Sequence, residues 1–361
     1  MTTVGIVGAG VMGAGIAQVA LEAGWDVVIH DVDVGATERA RDRVRFGLGR
    51  RAAKLDLDSD SMDAWIDGRL SGLRTGVSLD AVADGTTLVI EAALEDLDLK
   101  RSIFGKIDAT APPDVVLATN TSALAIGSIA EGATRPERVI GLHFFNPVPL
   151  MALVEVVPGA RTEPAILERA TTWMRDWGKT PVVCADRPGF IVNRVNRPFT
   201  IEALRMLEEG AASVEAIDGA MRDAGFPMGP FELMDLAGLD VNLAAAEGVW
   251  HGLGEPDHLR PSPIQAQLVA AGNLGRKTGR GFYRYDDGRR GVVATKAAAA
   301  PPTGTLDAAA IRDRIVAGIL AEAQRAVADG VATPETIDLA MCLGAGHPRG
   351  PFGQPSPAIE R

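Results

Sequence analysis

The string Gly8-Ala9-Gly10-Val11-Met12-Gly13 constrains this chain more than any other feature. It follows a short apolar run, Val4 to Val7, and precedes a stretch of helical composition, Ala14 to Ala23. A second apolar run, Val27-Val28-Ile29, stops at His30-Asp31. Strand, glycine turn, helix and strand within about thirty residues read as the first βαβ unit of a doubly wound parallel sheet. With 41 glycines in the chain, a G-x-G-x-x-G string can arise by accident. Its position between strand and helix, with an acidic residue eighteen positions beyond Gly13, is what points to a dinucleotide. Gly8 permits the tight turn, Gly10 lets a pyrophosphate approach the backbone, and Gly13 lets helix and strand pack closely. Ala9, Val11 and Met12 complete the loop, whose N–H groups sit at the positive end of the helix. Asp31 is placed to accept hydrogen bonds from ribose hydroxyls. A carboxylate there repels a 2′-phosphate, and no Arg follows it, so NAD is expected rather than NADP. The plainer alternative is a glycine turn in an unliganded α/β protein.

The alternation continues through the first half. Leu88-Val89-Ile90, Val115-Val116-Leu117, Val139 to Leu142, Leu153 to Val157 and Pro181 to Cys184 read as strands, and Asp98 to Ala109 as a helix. Thr37 to Lys54 and Met62 to Leu73 read as a helical excursion. Beyond Gly189 strand signals almost vanish: Ile191 to Glu209, Val214 to Ala224 and Glu232 to Val249 read as helices. The expected fold class is therefore an α/β Rossmann-like dinucleotide-binding domain followed by an all-α domain. The boundaries expected are 1–185 for the first domain, 186–285 for a helical substrate and dimerisation domain, 286–308 for a linker and 309–361 for a partial repeat of the helical domain. The repeat rests on a constant offset of 120: Glu202, Ala203, Arg205, Gly210, Ile217, Asp218 and Met221 recur as Glu322, Ala323, Arg325, Gly330, Ile337, Asp338 and Met341.

Composition narrows the function classes. Lys and Arg number 36 against 47 Asp and Glu, a net charge of −11, which disfavours general nucleic-acid or anionic-membrane binding. Cys184 and Cys342 show no zinc or C-x-x-C spacing and read as reduced thiols of a cytoplasmic protein. The chain opens without a basic, apolar leader, and no apolar run is long enough to span a membrane.

His143 is the most informative of the five histidines. It falls at the carboxyl end of an expected strand, where doubly wound sheets place their ligands. Glu155 follows twelve residues later on the next strand. Oxidation of an alcohol needs a base for the hydroxyl proton, and an imidazole steadied by a carboxylate suits that task. The alternative is a hydrogen-bonded histidine capping a strand. His30, His251, His258 and His347 lack metal-ligand spacing, and no metal site is expected.

Several strings together carry a resemblance. Gly141-Leu142-His143-Phe144-Phe145-Asn146-Pro147-Val148-Pro149-Leu150-Met151, Leu153-Val154-Glu155-Val156-Val157, Thr119-Asn120-Thr121-Ser122, Pro188 to Arg194, Pro227 to Leu233 and Gly275 to Tyr283 resemble the L-3-hydroxyacyl-CoA dehydrogenases, in that family's order. The resemblance implies NAD-dependent, reversible oxidation of an L-3-hydroxyacyl-CoA to the 3-oxoacyl-CoA. It implies His143 as general base or acid and Glu155 as its partner. Ser122 and Asn193 would hold the 3-oxygen and orient the histidine. Glu95, Lys100, Ser122, Asn146 and Lys277 would line the nicotinamide side, and Lys54 would meet the coenzyme A. Two departures concern the acyl-CoA: Gly47 replaces a small hydroxyl residue, and Ala152 replaces a lysine. Two other readings stand beside this one: a dehydrogenase of a free hydroxy acid or carnitine-like substrate on the same fold, and a non-catalytic NAD-binding protein. The second helical copy lacks a His143 counterpart and carries Asp313 where the first has Asn193, so a structural role is expected. It leaves open a homodimer or a monomer with an internal pseudo-dimer of helical units.

Overall fold

The structure, a computed structural model, describes residues 2–294 and 306–357. The chain divides into two compact units, Met1–Arg187 and Pro188–Arg361. The first is built on strands β1 (Thr3–Val7), β2 (Asp26–His30), β3 (Leu73–Thr75), β4 (Leu88–Glu91), β5 (Val116–Thr119), β6 (Val139–Phe144), β7 (Leu153–Pro158) and β8 (Thr180–Val183). They form one sheet in the order β3-β2-β1-β4-β5-β6-β7-β8. Neighbours from β3 through β6 run parallel, β6 and β7 pair antiparallel, and β8 follows β7 in parallel. The strands are short apolar runs because helices cover both faces of such a sheet; every residue of β1, β4 and β5 is buried.

Helices α1 (Val11–Glu22), α2 (Val34–Ala52), α3 (Ser59–Leu70), α4 (Leu97–Thr110), α5 (Ile126–Ala130) and α6 (Pro164–Asp176) supply those covers. Asp33, Asp58 and Asp96 start α2, α3 and α4 by accepting a backbone N–H from the first turn. The core gathers Ile6, Ile16, Ile29, Leu48, Leu88, Ile90, Leu142 and Val154 into one cluster. The edge strand β3 was not foreseen, because three residues show no periodicity. β1 lies between β2 and β4, so chain order reverses there, and a crevice opens at the carboxyl ends of those strands.

The second unit comprises α7 (Val192–Val195), α8 (Arg197–Glu208), α9 (Val214–Asp223), α10 (Pro230–Ala237), α11 (Leu239–Gly252) and α12 (Pro263–Ala270), followed by helices Ala308–Ala328 and Pro334–Ala345. Two expected helices are each broken. Ile191 to Glu209 divides at Asn196: Pro198 has no amide hydrogen for the helical ladder, and Phe199 N–H turns to the Asn196 carbonyl at 3.1 Å. Glu232 to Val249 divides at Gly238, whose φ of 98° leaves the helical region.

The expected linker also changes. Residues up to Val293 form a hairpin of β9 (Tyr283–Asp286) and β10 (Arg289–Val293), turned by Asp287 and Gly288 with φ of 49° and 74°. Asp-Gly with both φ positive is the favoured two-residue hairpin turn, a signal hidden by the Ala- and Pro-rich run that follows. Of that linker, 295–305 lie outside the described residues, and its last residue, Ala308, already opens a helix.

Contacts in this unit repeat too, with the offset of 120 up to Asp338 and 121 at Gly350 and Phe352. Arg194 Nε meets Glu322 Oε1 at 2.7 Å and its Nη2 meets Asp329 Oδ2 at 2.6 Å. Reciprocally, Arg314 Nε meets Glu202 Oε2 at 2.9 Å and its Nη1 meets Glu209 Oε2 at 2.6 Å. This i-to-j, j-to-i pattern is that of an interface with two-fold symmetry, formed here within one chain. Asp218 accepts from Phe231 N–H at 2.9 Å, and Asp338 does the same for Phe352 at 2.8 Å. A Cβ on Gly229 or Gly350 would come within 2.3 or 2.2 Å of those aspartates.

The two arms of the dyad differ in burial: the Arg194 side chain is 3% exposed, that of Arg314 31%. Arg194→Met takes one charge-assisted donor from the fully buried Glu322 carboxylate, which keeps His258 at 2.8 Å and Arg325 at 3.2 Å, and should cost about 1.5–3 kcal/mol in denaturant unfolding. Arg314→Met should cost about 1 kcal/mol. Equal losses would show that burial does not set the strength of these pairs.

Candidate active site

The glycine loop joins β1 to α1 at the crevice. Gly8 has φ of 106°, and a Cβ there would lie 2.5 Å from the Ala92 carbonyl oxygen. At Gly13 a Cβ would lie 1.9 Å from the Gly8 carbonyl oxygen. Both glycines are demanded by the protein's own backbone. Gly10 is different: a Cβ there would meet nothing within 4 Å, so no protein atom explains its lack of a side chain. It is the N-cap of α1, has no side-chain cap hydrogen bond, and is followed by a first turn without acidic residues. Open space, unopposed N–H groups and a positive helix end suit a pyrophosphate.

Asp31 follows the last residue of the neighbouring strand β2. Its Oδ2 accepts from Ala9 N–H at 2.7 Å and its Oδ1 from Asp33 N–H at 2.9 Å. These bonds hold the carboxylate beside the loop, and each oxygen keeps a lone pair for a ribose hydroxyl. Val32 and Leu94 follow the carboxyl ends of β2 and β4 and are 95% and 77% exposed. Sequence reading passed over both because they belong to no periodic run.

His143 and Glu155 are direct partners in the antiparallel register of β6 and β7. Both side chains lie on the same side of the sheet, and His143 Nδ1 stands 2.6 Å from Glu155 Oε2. Both residues are buried, Glu155 completely. A carboxylate at Nδ1 keeps the proton there, so that Nε2 is the nitrogen that accepts one. The Phe145 ring centroid lies 4.5 Å from that of the imidazole. Asn120 Oδ1 accepts from Phe144 N–H at 2.8 Å, tying the end of β5 to that of β6.

Ser122 is reached through a chain of charges. Glu91, buried at the end of β4, accepts from Lys100 Nζ and Ala93 N–H at 2.7 Å and from Thr119 Oγ1 at 2.7 Å. Lys100 also meets Glu95 Oε2 at 3.2 Å. Glu95 Oε1 in turn accepts from Thr121 Oγ1 at 2.6 Å and from the Ser122 N–H at 2.9 Å. Burial alone would raise the Glu95 carboxyl; the Lys100 ammonium and these hydrogen bonds outweigh it and hold the group below its ordinary range. Lys100 was expected to line the cofactor, yet its side chain is 1% exposed and held between two carboxylates. Its role in this geometry is to fix Glu95. Glu91 was missed, although a carboxylate ending an apolar strand was the signal.

The remaining expected residues fall in several places. Asn146 is exposed in the connection after β6. That connection is anchored by a residue the sequence reading missed: Lys179, nearly buried, donates to the carbonyls of Val148 at 2.5 Å and Met151 at 2.8 Å. Burial pushes its ammonium down to about 8. Lys54 is exposed just beyond α2. Asn193 lies on α7 and Lys277 in the turn before the hairpin, both in the second unit; the Lys277 ammonium meets Asp240 at 2.6 Å. The space a side chain at Gly47 would need is taken by Gln18 of α1, whose Oε1 would lie 2.0 Å from the added Cβ.

The glycine geometry separates two variants. Gly10→Ala should cost about 1 kcal/mol or less in stability, the N-cap difference, while lowering NAD affinity at least tenfold in a titration. Gly13→Ala should instead lower the melting temperature sharply. Unchanged NAD affinity in the folded Gly10→Ala variant would remove the pyrophosphate from this loop.

Comparison with known proteins agrees with this geometry. Residues 3–187 match the NAD binding domain of 3-hydroxyacyl-CoA dehydrogenase. Residues 189–285 and again 311–354 match its C-terminal domain. The chain is 44% identical over 296 residues to 3-hydroxyadipyl-CoA dehydrogenase of Escherichia coli K12, a match that covers 82% of this chain and 61% of that one. It is 42% identical over 283 residues to the human mitochondrial hydroxyacyl-coenzyme A dehydrogenase, covering 78% of this chain and 90% of the human one. The crystal structure of 3-hydroxybutyryl-CoA dehydrogenase from Escherichia coli K12 superposes with a TM-score of 0.86 at 34% identity, covering 98% of this chain and 90% of that one. The paired matches to one C-terminal domain, the glycine loop and the buried His143–Glu155 pair converge: the chain belongs to the 3-hydroxyacyl-CoA dehydrogenase family.

Proposed function

We propose that this chain interconverts an L-3-hydroxyacyl-CoA and the 3-oxoacyl-CoA, with NAD as its redox partner. The observation that carries the reading is the 2.6 Å His143–Glu155 contact at the carboxyl edge of a dinucleotide-binding sheet. His143 takes the proton from the 3-hydroxyl through Nε2, and Glu155 stabilises the imidazolium that results. In the reverse direction the same nitrogen returns the proton. Ser122, held by Glu95, and Asn193 position the substrate oxygen. The glycine loop with Ala9, Val11 and Met12 takes the pyrophosphate, Asp31 the ribose, and Val32 and Leu94 the adenine. When bound there, NAD would supply the hydride acceptor, and NADH the donor. Asn146 and Lys277 belong to the nicotinamide side and Lys54 to the coenzyme A.

His143→Gln should lower kcat by about 10²–10⁴-fold while NAD affinity, measured by titration, stays close to that of the parent. Glu155→Gln should lower kcat as well, since the wrong tautomer becomes accessible. A His143→Gln enzyme with parental turnover would end this assignment.

The relatives' names differ in acyl class: hydroxyacyl, hydroxybutyryl and hydroxyadipyl. The reading includes a monomer, supported by the reciprocal Arg194–Glu322 and Arg314–Glu202 pairs, in which the repeat stands where a second subunit would. Sedimentation equilibrium should return the single-chain mass of 37.8 kDa; twice that mass would overturn it. A cytoplasmic location completes the reading, supported by two buried free thiols, Cys184 and Cys342. Among the described residues no helix is long and apolar enough to cross a membrane.

A further inference from the structure

Arg197 opens α8 and is 6% exposed. Its Nε donates to the Asn193 carbonyl at 2.8 Å and its Nη1 to the Asn242 carbonyl at 3.4 Å. The groups around Asn242 are neutral as well: Gln265 Nε2 donates to Asn242 Oδ1 and to the Leu239 carbonyl, both at 3.0 Å. The helical unit holds many ion pairs, those of Arg194, Arg205, Arg222, Arg314 and Arg325 among them, and among the described residues none includes Arg197. Desolvation, with no opposing charge, draws its guanidinium down to about 10. Arg194, three residues earlier and as deeply buried, has two carboxylates.

An unpaired charge in such a place is costly, several kcal/mol even after relaxation. Two carbonyl dipoles satisfy two of the five N–H groups and supply no counter-charge. A planar guanidinium is shaped for two parallel hydrogen bonds to a carboxylate. The position suggests where that carboxylate comes from. Arg197 reaches back to the backbone of Asn193, the residue assigned above to the substrate's 3-oxygen. In a six-carbon dicarboxylic acyl chain the terminal carboxyl carbon lies three bonds beyond the 3-carbon, roughly 4 Å when extended.

We infer that Arg197 binds the terminal carboxylate of the acyl chain, so that this enzyme takes a 3-hydroxydicarboxylyl-CoA of about six carbons in preference to a plain fatty acyl-CoA. The inference rests on the dehydrogenase reading and assigns its substrate class. An uncharged tail would leave the buried guanidinium without its counter-ion, and a charged tail would find no partner without the guanidinium.

The test compares 3-hydroxyadipyl-CoA with 3-hydroxyhexanoyl-CoA, which has the same carbon count but no terminal carboxylate. The wild-type enzyme should favour the adipyl substrate at least thirtyfold in kcat/KM. In Arg197→Met the ratio should fall to near one or invert, and Arg197→Lys should recover part of it through a point charge. A wild-type enzyme that uses both substrates equally, or an Arg197→Met variant that loses both in equal proportion, would overturn the inference. The wild-type ratio decides the matter even if a variant fails to fold. Inactivity of the wild type on both substrates would instead overturn the dehydrogenase reading, and this inference with it.

Discussion

The antiparallel register between β6 and β7 is the constraint on which the site depends. It sets His143 opposite Glu155, so two residues twelve apart in sequence share one side of the sheet. A shift of one residue in that register would turn one of the two side chains to the opposite face. The register is well specified because both strands are almost fully buried, and a slip would drive His143 or Glu155 into the packing on the opposite face. β7 is also where the sheet reverses direction. A parallel neighbour would have needed a long crossover, whereas the short Phe145–Ala152 connection, secured by the buried ammonium of Lys179, suffices.

A second layer of order comes from buried charge. Glu91, Lys100 and Glu95 form a chain from the end of β4 to the backbone of Ser122. Each member is paired, which is what allows a lysine and a glutamate to be almost wholly enclosed. The helical unit follows the same rule twice, in Arg194 with Glu322 and Arg314 with Glu202. Two buried cations depart from it, held by carbonyl oxygens alone: Lys179, which anchors a connection, and Arg197, which lies beside Asn193.

Much of this was legible in the residues. The glycine loop, Asp31, the alternation of strands and helices and the offset of 120 are local or periodic features, and local chemistry explains them. The misreadings have local causes too. Pro198 and Gly238 each interrupt a helical pattern that composition alone carries through. Asp287-Gly288 turns a hairpin whose strands are short and largely exposed, so they show little alternation of apolar and polar residues. Lys100 read as a cofactor contact because its sequence position does not reveal which neighbours enclose it.

The sequence by itself determined a nucleotide-binding βαβ start, a histidine with a carboxylate in reach and a duplicated helical unit. These follow from residue type and spacing, which act over a few residues or repeat at a fixed interval. Only the tertiary structure decided that Gly10 faces open space while Gly8 and Gly13 do not, that Lys100 is enclosed, and that Arg197 is buried without a counter-charge. Burial and charge pairing arise from segments distant in the chain being pressed together, and no single segment records its neighbours.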